Sequence, residues 1–314
     1  MTFKESDPLM DVWTRASSEM SRRALLARLA TGAAALAFPA PLRALARGDD
    51  DLARLTTWTR TLRSETARTS LGAATARVGE LAIGTPYVAN TLEAYLRAGG
   101  DPTKEEPLTA SLTQFDCVTL VESCLAVSRA ARDSRTTPTW QQFSREIERM
   151  RYRNGVRGSY ASRLHYFSEW ITDGERRGLV KDLGPSLGAA DDTRPLRFMT
   201  THRASYAALS NDDVHRAIGD MERSLDAHPR KVIPTDRIAG VSDGIQTGDV
   251  LAFATSIPGL DVTHAAMAYR DRQNVLRVLH APLSGGSVEV SARTLPEYVA
   301  AIRRSTGILV ARPL

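Results

Sequence analysis

Leu112-Thr113-Gln114-Phe115-Asp116-Cys117-Val118-Thr119-Leu120 is the stretch from which the fold can be read. A polar, turn-prone run ends at Asp116 and apolar residues at helical spacing follow, so a helix from about Cys117 to Ala131 is expected, with the thiol in its first turn. Unpaired backbone N–H groups and the positive end of the helix dipole favour thiolate there, and thiolate is the nucleophilic form. A free Cys is otherwise a small buried hydrophobe, so its surroundings decide between the two roles.

Upstream, Leu52, Leu55, Trp58, Leu62, Leu71, Val78, Leu81 and Ile83 recur at helical spacing and predict one or two packed helices over residues 51–82, ended by Gly84-Thr85-Pro86-Tyr87. A short helix is expected around Thr91 to Ala98. Downstream of the cysteine helix, another is expected over Thr139 to Met150, stopping at Arg151-Tyr152-Arg153-Asn154-Gly155. Residues 156–240 mix helical and short extended stretches rich in polar and aromatic residues, the composition of a specificity region on a scaffold.

The last third changes character. Asp249 to Ala254, Val262 to Tyr269, Val275 to His280 and Ser287 to Val290 are short runs of β-formers separated by turn residues, which predicts an antiparallel meander. Thr294 to Ile302 reads as a helix and Thr306 to Val310 as a final strand. Helices first and an antiparallel sheet afterwards make an α+β fold.

A thiol hydrolase needs an imidazole partner and a third group that orients the ring. Of the six histidines, His264 lies inside a strand among small apolar residues that let a helix approach closely. A helix-borne Cys followed much later by a strand His is the order of a papain-like site. His280 supplies a candidate orienting group. The strands ending at Tyr269 and starting at Val275 should form a hairpin, and a three- or five-residue effective loop sets 264 opposite 280 on one face, whereas a four-residue loop sends them to opposite faces. Asp116 either caps the cysteine helix or contacts substrate, and Glu122 is expected to hold a neighbouring loop by hydrogen bonds. His165 reads as structural. HExxH, CxxC, an EF-hand loop, a phosphate-binding Gly-rich loop and G-x-S-x-G are all missing from the sequence, so neither a metal nor a cofactor is expected.

The first 46 residues read as an address. Ser21-Arg22-Arg23-Ala24-Leu25-Leu26 is a twin-arginine pattern, followed by the apolar stretch Leu29 to Phe38 and a small-residue site at Ala44-Leu45-Ala46, so export to the periplasm or cell envelope with cleavage after Ala46 is expected. Met20, just before this element, is a candidate start of translation. Residues 47–314 are then one catalytic domain with a helical and loop specificity insertion at about 140–240. The other segments fall short of the roughly 18 apolar residues a membrane span requires, so stable membrane insertion is not expected. Cys117 and Cys124 stand two turns apart on one expected helix, roughly 10 Å along its axis, beyond the about 7 Å between Cα atoms that a disulfide tolerates. An exported chain that leaves a thiol unpaired has a use for it. With 314 residues, 42% of them hydrophobic and 25% charged, the chain can bury an ordinary core. Its formal charge of +5 is carried by scattered Arg, without the basic stripe and interleaved aromatics of a nucleic-acid module, so nucleic-acid binding is not expected.

Five separated motifs occur in order: Leu81-Ala82-Ile83-Gly84-Thr85-Pro86-Tyr87, Phe115-Asp116-Cys117-Val118-Thr119-Leu120-Val121-Glu122, Arg151-Tyr152-Arg153-Asn154-Gly155, the run Tyr160 to Ile171, and Gly248-Asp249-Val250-Leu251-Ala252-Phe253 through Thr263-His264. In these the sequence resembles the DUF1460 group of N-acetylmuramoyl-L-alanine amidase-like proteins, within the NlpC/P60-like cysteine peptidase superfamily. The resemblance implies a papain-like core with the nucleophile helix packed on an antiparallel sheet. It implies peptidoglycan fragments as partners, with hydrolysis of the amide between N-acetylmuramic acid and L-alanine, on muropeptides that include anhydro forms. It makes Cys117 the nucleophile and His264 the base; the third polar residue of the superfamily is His, Asn or Gln, and His280 fills that place only by the hairpin argument. Tyr87 lines the cleft on this reading, as oxyanion donor or as packing. Arg153 and Arg163 either hold peptide carboxylates bidentately or tie the middle segment to the core. Tyr160 and Thr263 stand in matched stretches and join the expected substrate contacts. The alternatives are an endopeptidase cutting the γ-D-glutamyl bond of the stem peptide and a non-catalytic muropeptide-binding protein.

Overall fold

The computed structural model describes residues 40–65, 69–133, 136–283 and 286–314. The twin-arginine element and the apolar stretch Leu29 to Phe38 lie outside the described residues. Helix α1 (Ala40–Glu65) and α2 (Leu71–Leu81) resolve the first periodic region into two helices, with Ser70 capping α2 through Ala73 N at 3.1 Å. Leu55, Trp58 and Leu62 are buried, but Leu52 and Ile83, expected in the core, are exposed. The cysteine helix α3 (Cys117–Asp133) begins at the expected residue. Helix α4 (Trp140–Arg151) starts from a capping box in which Thr139 and Gln142 satisfy each other's backbone N–H groups. Helices α5 (Phe167–Arg176) and α6 (Asp212–Leu225) follow in the middle of the chain, and α7 (Leu295–Ala300) is the last, held by a second capping box between Thr294 and Glu297.

The strands β1 (Val180–Asp182), β2 (Ala190–Asp192), β3 (Arg230–Pro234), β4 (Val250–Thr255), β5 (Val262–Arg270), β6 (Leu276–His280), β7 (Glu289–Val290) and β8 (Ser305–Pro313) form one antiparallel sheet ordered β2-β3-β8-β4-β5-β6-β7. Strands β4 to β7 are the expected meander. The final strand does not extend it: β8 returns to the far side of β4, and its other edge is shared by β3 near Gly307 and β1 near Ala311. The segment at about 140–240 therefore supplies sheet strands as well as helices. Its helix α6 packs over a separate cluster that contains Tyr160, Tyr166, Met199 and Ile218.

Both faces of the sheet are covered, which is why every residue of β4 is buried and its sequence is a continuous apolar run. On one face Ala252, Ala265, Met267 and Leu279 pack against Leu120, Val121 and Cys124 of α3. On the other, Leu251, Phe253, Ala266 and Val278 pack against Leu295 and Val299 of α7. Helix α2 approaches the turn before β4 so closely that a Cβ on Gly248 would lie 1.8 Å from Gly72 O, and Gly248 also has φ +87°. Only glycine fits there. Among the described residues no helix is long and apolar enough to cross a membrane.

Candidate active site

Asp116 is the N-cap of α3: its Oδ1 accepts from Thr119 N and from Thr119 Oγ1, both at 2.8 Å, while Asp116 N donates to Thr119 Oγ1 at 2.9 Å. That reciprocal lock fixes Cys117 as the first helical residue, half-buried and free. Cys124, two turns on, is also free and fully buried in the core. The Gly84 to Val88 segment, expected to end the preceding helix and to bring Tyr87 to the cleft, also bridges two other segments. Tyr87 N donates to Gly286 O at 2.8 Å, Val88 N to Phe115 O at 2.8 Å and Phe115 N to Pro86 O at 3.0 Å. From α1, Arg54 Nη1 donates to Thr85 Oγ1 at 2.8 Å and to Leu112 O at 3.0 Å, tying both arms of this bridge. Tyr87 is thereby held beside the start of α3.

The hairpin places the two histidines on one face, the outcome expected of an odd-numbered loop, but two residues from the expected register. Arg270 pairs with Leu276 and Ala268 with Val278, which sets His280 opposite Ala266 and leaves His264 diagonal to it. The diagonal suits the rings. His264 Nε2 lies 2.9 Å from His280 Nδ1, and the two rings meet nearly edge-on at 77°. Phe253, directly across from His264, stacks on its imidazole at 5.6 Å. Tyr298 of α7 brings its hydroxyl to 3.3 Å from the same His280 Nδ1. Nothing in the sequence marked Tyr298, because its helix reaches the site only through the packing of α7 on the sheet.

The electrostatics depart from the helix-dipole expectation. Burial and the neighbouring Asp116 push the Cys117 thiol up to about 12, against the backbone N–H groups of Ala265, Val118 and Cys117 itself, which pull it down. Burial, reinforced by His280, holds His264 down to about 3. The resting pair is therefore a neutral thiol and a neutral imidazole. The thiol draws on the N–H of Ala265, next in chain to His264, and among the described residues no hydrogen bond joins thiol and imidazole. Such contacts often tighten only with substrate bound. Burial, then Cys117 and Asp116, raise Tyr87 above its ordinary range, so its hydroxyl stays a proton donor. Burial, then Glu289 and Cys117, push Tyr298 up to about 12.

Cys117 lies against the N–H of Ala265, next in chain to His264, with Asp116, Tyr87 and Tyr298 near enough to interact electrostatically with it, and Thr263 is exposed next to His264. Arg153, Tyr160 and Arg163 do not join them as free binding groups. Arg153 donates to Glu169 Oε1 at 2.6 Å and Ala161 O at 3.0 Å. Arg163 is buried against Glu106 and Glu93, with its guanidinium 4.9 Å above the buried Tyr160 ring. Their alternative role, tying the middle segment to the core, is the one the contacts display. Glu122 holds a loop as expected, through Arg151, which pairs with it at 2.7 Å and donates to Thr109 O. His165 uses Nε2 on Tyr160 O at 2.9 Å. Beside the start of α3, a cavity of about 180 Å³ is lined by Asp51, Ser111, Gln114, Thr119, Ser123 and Arg151, among others.

The buried imidazoles carry a pH signature. Burial holds His280, 1% exposed, down to about 4, whereas an unfolded His titrates near 6.5. Between those values the unfolded chain binds a proton that the folded chain does not, so stability falls as pH falls through the window. A His280→Asn variant should lack this contribution, about 2 kcal/mol between pH 7 and pH 5. Urea midpoints of both proteins at the two pH values measure it, and equal slopes would reject the buried neutral ring.

Residues 77–308 match the family model described as AmiA-like, N-acetylmuramoyl-L-alanine amidase-like. An N-acetylmuramoyl-L-alanine amidase structure from Bacteroides uniformis is 30% identical, covering 78% of this chain and 99% of that one, with a TM-score of 0.70. A Bacteroides fragilis structure named, provisionally, as a xylanase is 31% identical over 75% of this chain and 99% of that one, at 0.68. A Legionella pneumophila DUF1460 protein, 19% identical over 86% of this chain and 96% of that one, shares the fold at 0.62. None of the curated proteins matches. The match over most of the chain and the 30% identity to a solved amidase settle the family: this chain belongs to the AmiA-like, N-acetylmuramoyl-L-alanine amidase-like proteins.

Proposed function

We propose that the protein is a cysteine amidase of the NlpC/P60 type that hydrolyses the N-acetylmuramoyl-L-alanine bond of peptidoglycan fragments in the cell envelope. The observation that carries the reading is the His264–His280 contact at 2.9 Å on the strand whose Ala265 N–H faces the Cys117 thiol. His264 spends Nε2 on His280, which leaves Nδ1 as its base. On attack, the Cys117 sulfur bonds to the lactyl carbonyl carbon while the thiol proton passes to His264. The oxyanion that forms is met by backbone N–H at the start of α3 and by the Tyr87 hydroxyl. Collapse breaks the C–N bond, and His264 returns the proton to the departing alanine amine. Water then attacks the thioester with His264 again as base, releasing the muramoyl carboxyl and restoring the thiol.

One feature favours the sugar side of the substrate. The cavity beside α3 is walled by uncharged polar side chains and by Asp51, which is hydrogen-bonded to Ser111 and Leu112 N, while its cation, Arg151, is committed to Glu122 and Thr109 O. Such a lining suits hydroxyl and acetamido groups better than the carboxylates of a stem peptide. A glycosidase, for its part, relies on two carboxylates flanking the scissile bond, whereas here a thiol and two imidazoles converge. The twin-arginine segment supports the location.

Purified muropeptides, anhydro forms included, should be converted to free sugar plus intact stem peptide, as read by mass analysis. A cleaved stem would instead indicate an endopeptidase, and no turnover a binding protein.

A further inference from the structure

We propose that Glu289 is a positioning residue that decides which nitrogen of His280 carries its proton, and through it which nitrogen of His264 is the base. The inference rests on the Cys117–His264 hydrolase reading above. In the β6–β7 ladder Glu289 stands directly across from His280, and its Oε1 lies 3.7 Å from His280 Nε2. That Nε2 is buried without a hydrogen-bond partner. At 3.7 Å the contact is an electrostatic one, short of a formed hydrogen bond.

Two proton arrangements satisfy the His264–His280 contact. In the first, His280 carries its proton on Nδ1 and donates it to His264 Nε2. His264 is then protonated on Nδ1 and cannot accept from a thiol. The same arrangement turns the Nε2 lone pair of His280 toward a carboxylate, two negative ends facing each other with nothing between them to donate. In the second, His280 carries its proton on Nε2, facing Glu289, and its Nδ1 accepts from His264 Nε2–H. His264 Nδ1 is then a free base. Every group around His280 fits the second arrangement: the Tyr298 hydroxyl at 3.3 Å becomes another donor to Nδ1, and the carboxylate meets an N–H. When His264 takes the thiol proton, the new charge is felt along Nε2–H to His280 and on to Glu289, which steadies it.

Nitrogen-15 spectra of histidine-labelled full chain distinguish the two ring forms. His280 should be the Nε2–H form in the unaltered protein. Glu289→Lys should shift it toward Nδ1–H and lower kcat about tenfold, a fraction of what general acid–base catalysis contributes, with KM nearly unchanged. Glu289→Gln, whose amide oxygen still accepts, should keep most of kcat. The Glu289 side chain is 49% exposed, so none of these changes threatens the fold. An Nδ1–H form of His280 in the unaltered protein, or unaltered kcat in Glu289→Lys, overturns the proposal. The spectra do not depend on the substrate, so an Nε2–H form in a protein that cleaves no muropeptide counts against the hydrolase reading alone.

Discussion

Cys117→Ala should abolish muropeptide hydrolysis, a loss of roughly 10⁴- to 10⁶-fold in turnover by analogy with removal of a nucleophile from other acyl-transfer sites. The sulfur is the atom that becomes acylated, and no other side chain at the site can replace it. Tyr87 and Tyr298 are both held protonated above or near the top of their ordinary range, and Cys124 is sealed in the core two turns away. Cys117→Ser should not rescue activity. Toward the same imidazole a hydroxyl is a weaker acid and a poorer nucleophile than a thiol. His264→Ala should cost nearly as much as Cys117→Ala, and the double variant little more than either, because the pair acts as one unit. The thermal midpoint should hardly move for Cys117→Ala, since the half-buried thiol fills little of the core. Full hydrolysis by that variant would remove the cysteine mechanism altogether.

How far the sequence discloses this site depends on how local each determinant is. The start of α3 is legible because capping is a contact between near neighbours, here Asp116 with Thr119, and the same holds for Thr139 with Gln142 and Thr294 with Glu297. The sharing of a face by His264 and His280 is legible only as one of two outcomes, decided by whether the hairpin loop is odd- or even-numbered. Their exact pairing is not, because hairpin register is set by the Asp271 turn, where Asp271 N bonds Val275 O and its side chain takes Gln273 N and Val275 N. The place of β8 beside β4 is less legible still, since an adjacent position in sequence favours the end of the meander. Tyr298 enters the site only through the packing of α7 on the sheet, and Glu289 through the register of the β6–β7 pair. The thiol's resting protonation went the other way from its helix position because burial and Asp116 outweigh the few N–H groups that reach the sulfur.

Arg163→Ala should destabilise the protein by about 3–5 kcal/mol, the range for breaking a buried ion pair from one side. Arg163 gives Nε to Glu106 Oε1 at 3.0 Å, Nη2 to Glu106 Oε2 at 2.6 Å and Nη1 to Glu93 Oε1 at 2.9 Å. Burial opposes its charge, but the two carboxylates overcome that and hold it above its ordinary value. Glu106 is 2% exposed, and without Arg163 only the hydroxyls of Tyr152 at 3.0 Å and Tyr95 at 3.3 Å remain on it. Such a carboxyl would favour its neutral form in the folded variant, so its folded pKa would rise above the unfolded value. The variant would then be least stable at neutral pH and regain ground as pH falls toward the carboxyl range, a slope opposite to that of the buried imidazoles. Arg163→Ala combined with Glu106→Gln should recover part of the loss at pH 7, because the unpaired charge is gone. Urea midpoints of the three proteins at pH 7 and pH 5 measure each step. A loss below about 1 kcal/mol for Arg163→Ala, with KM for muropeptide raised instead, would show that this guanidinium is spent on substrate and not on the walls that hold the cleft.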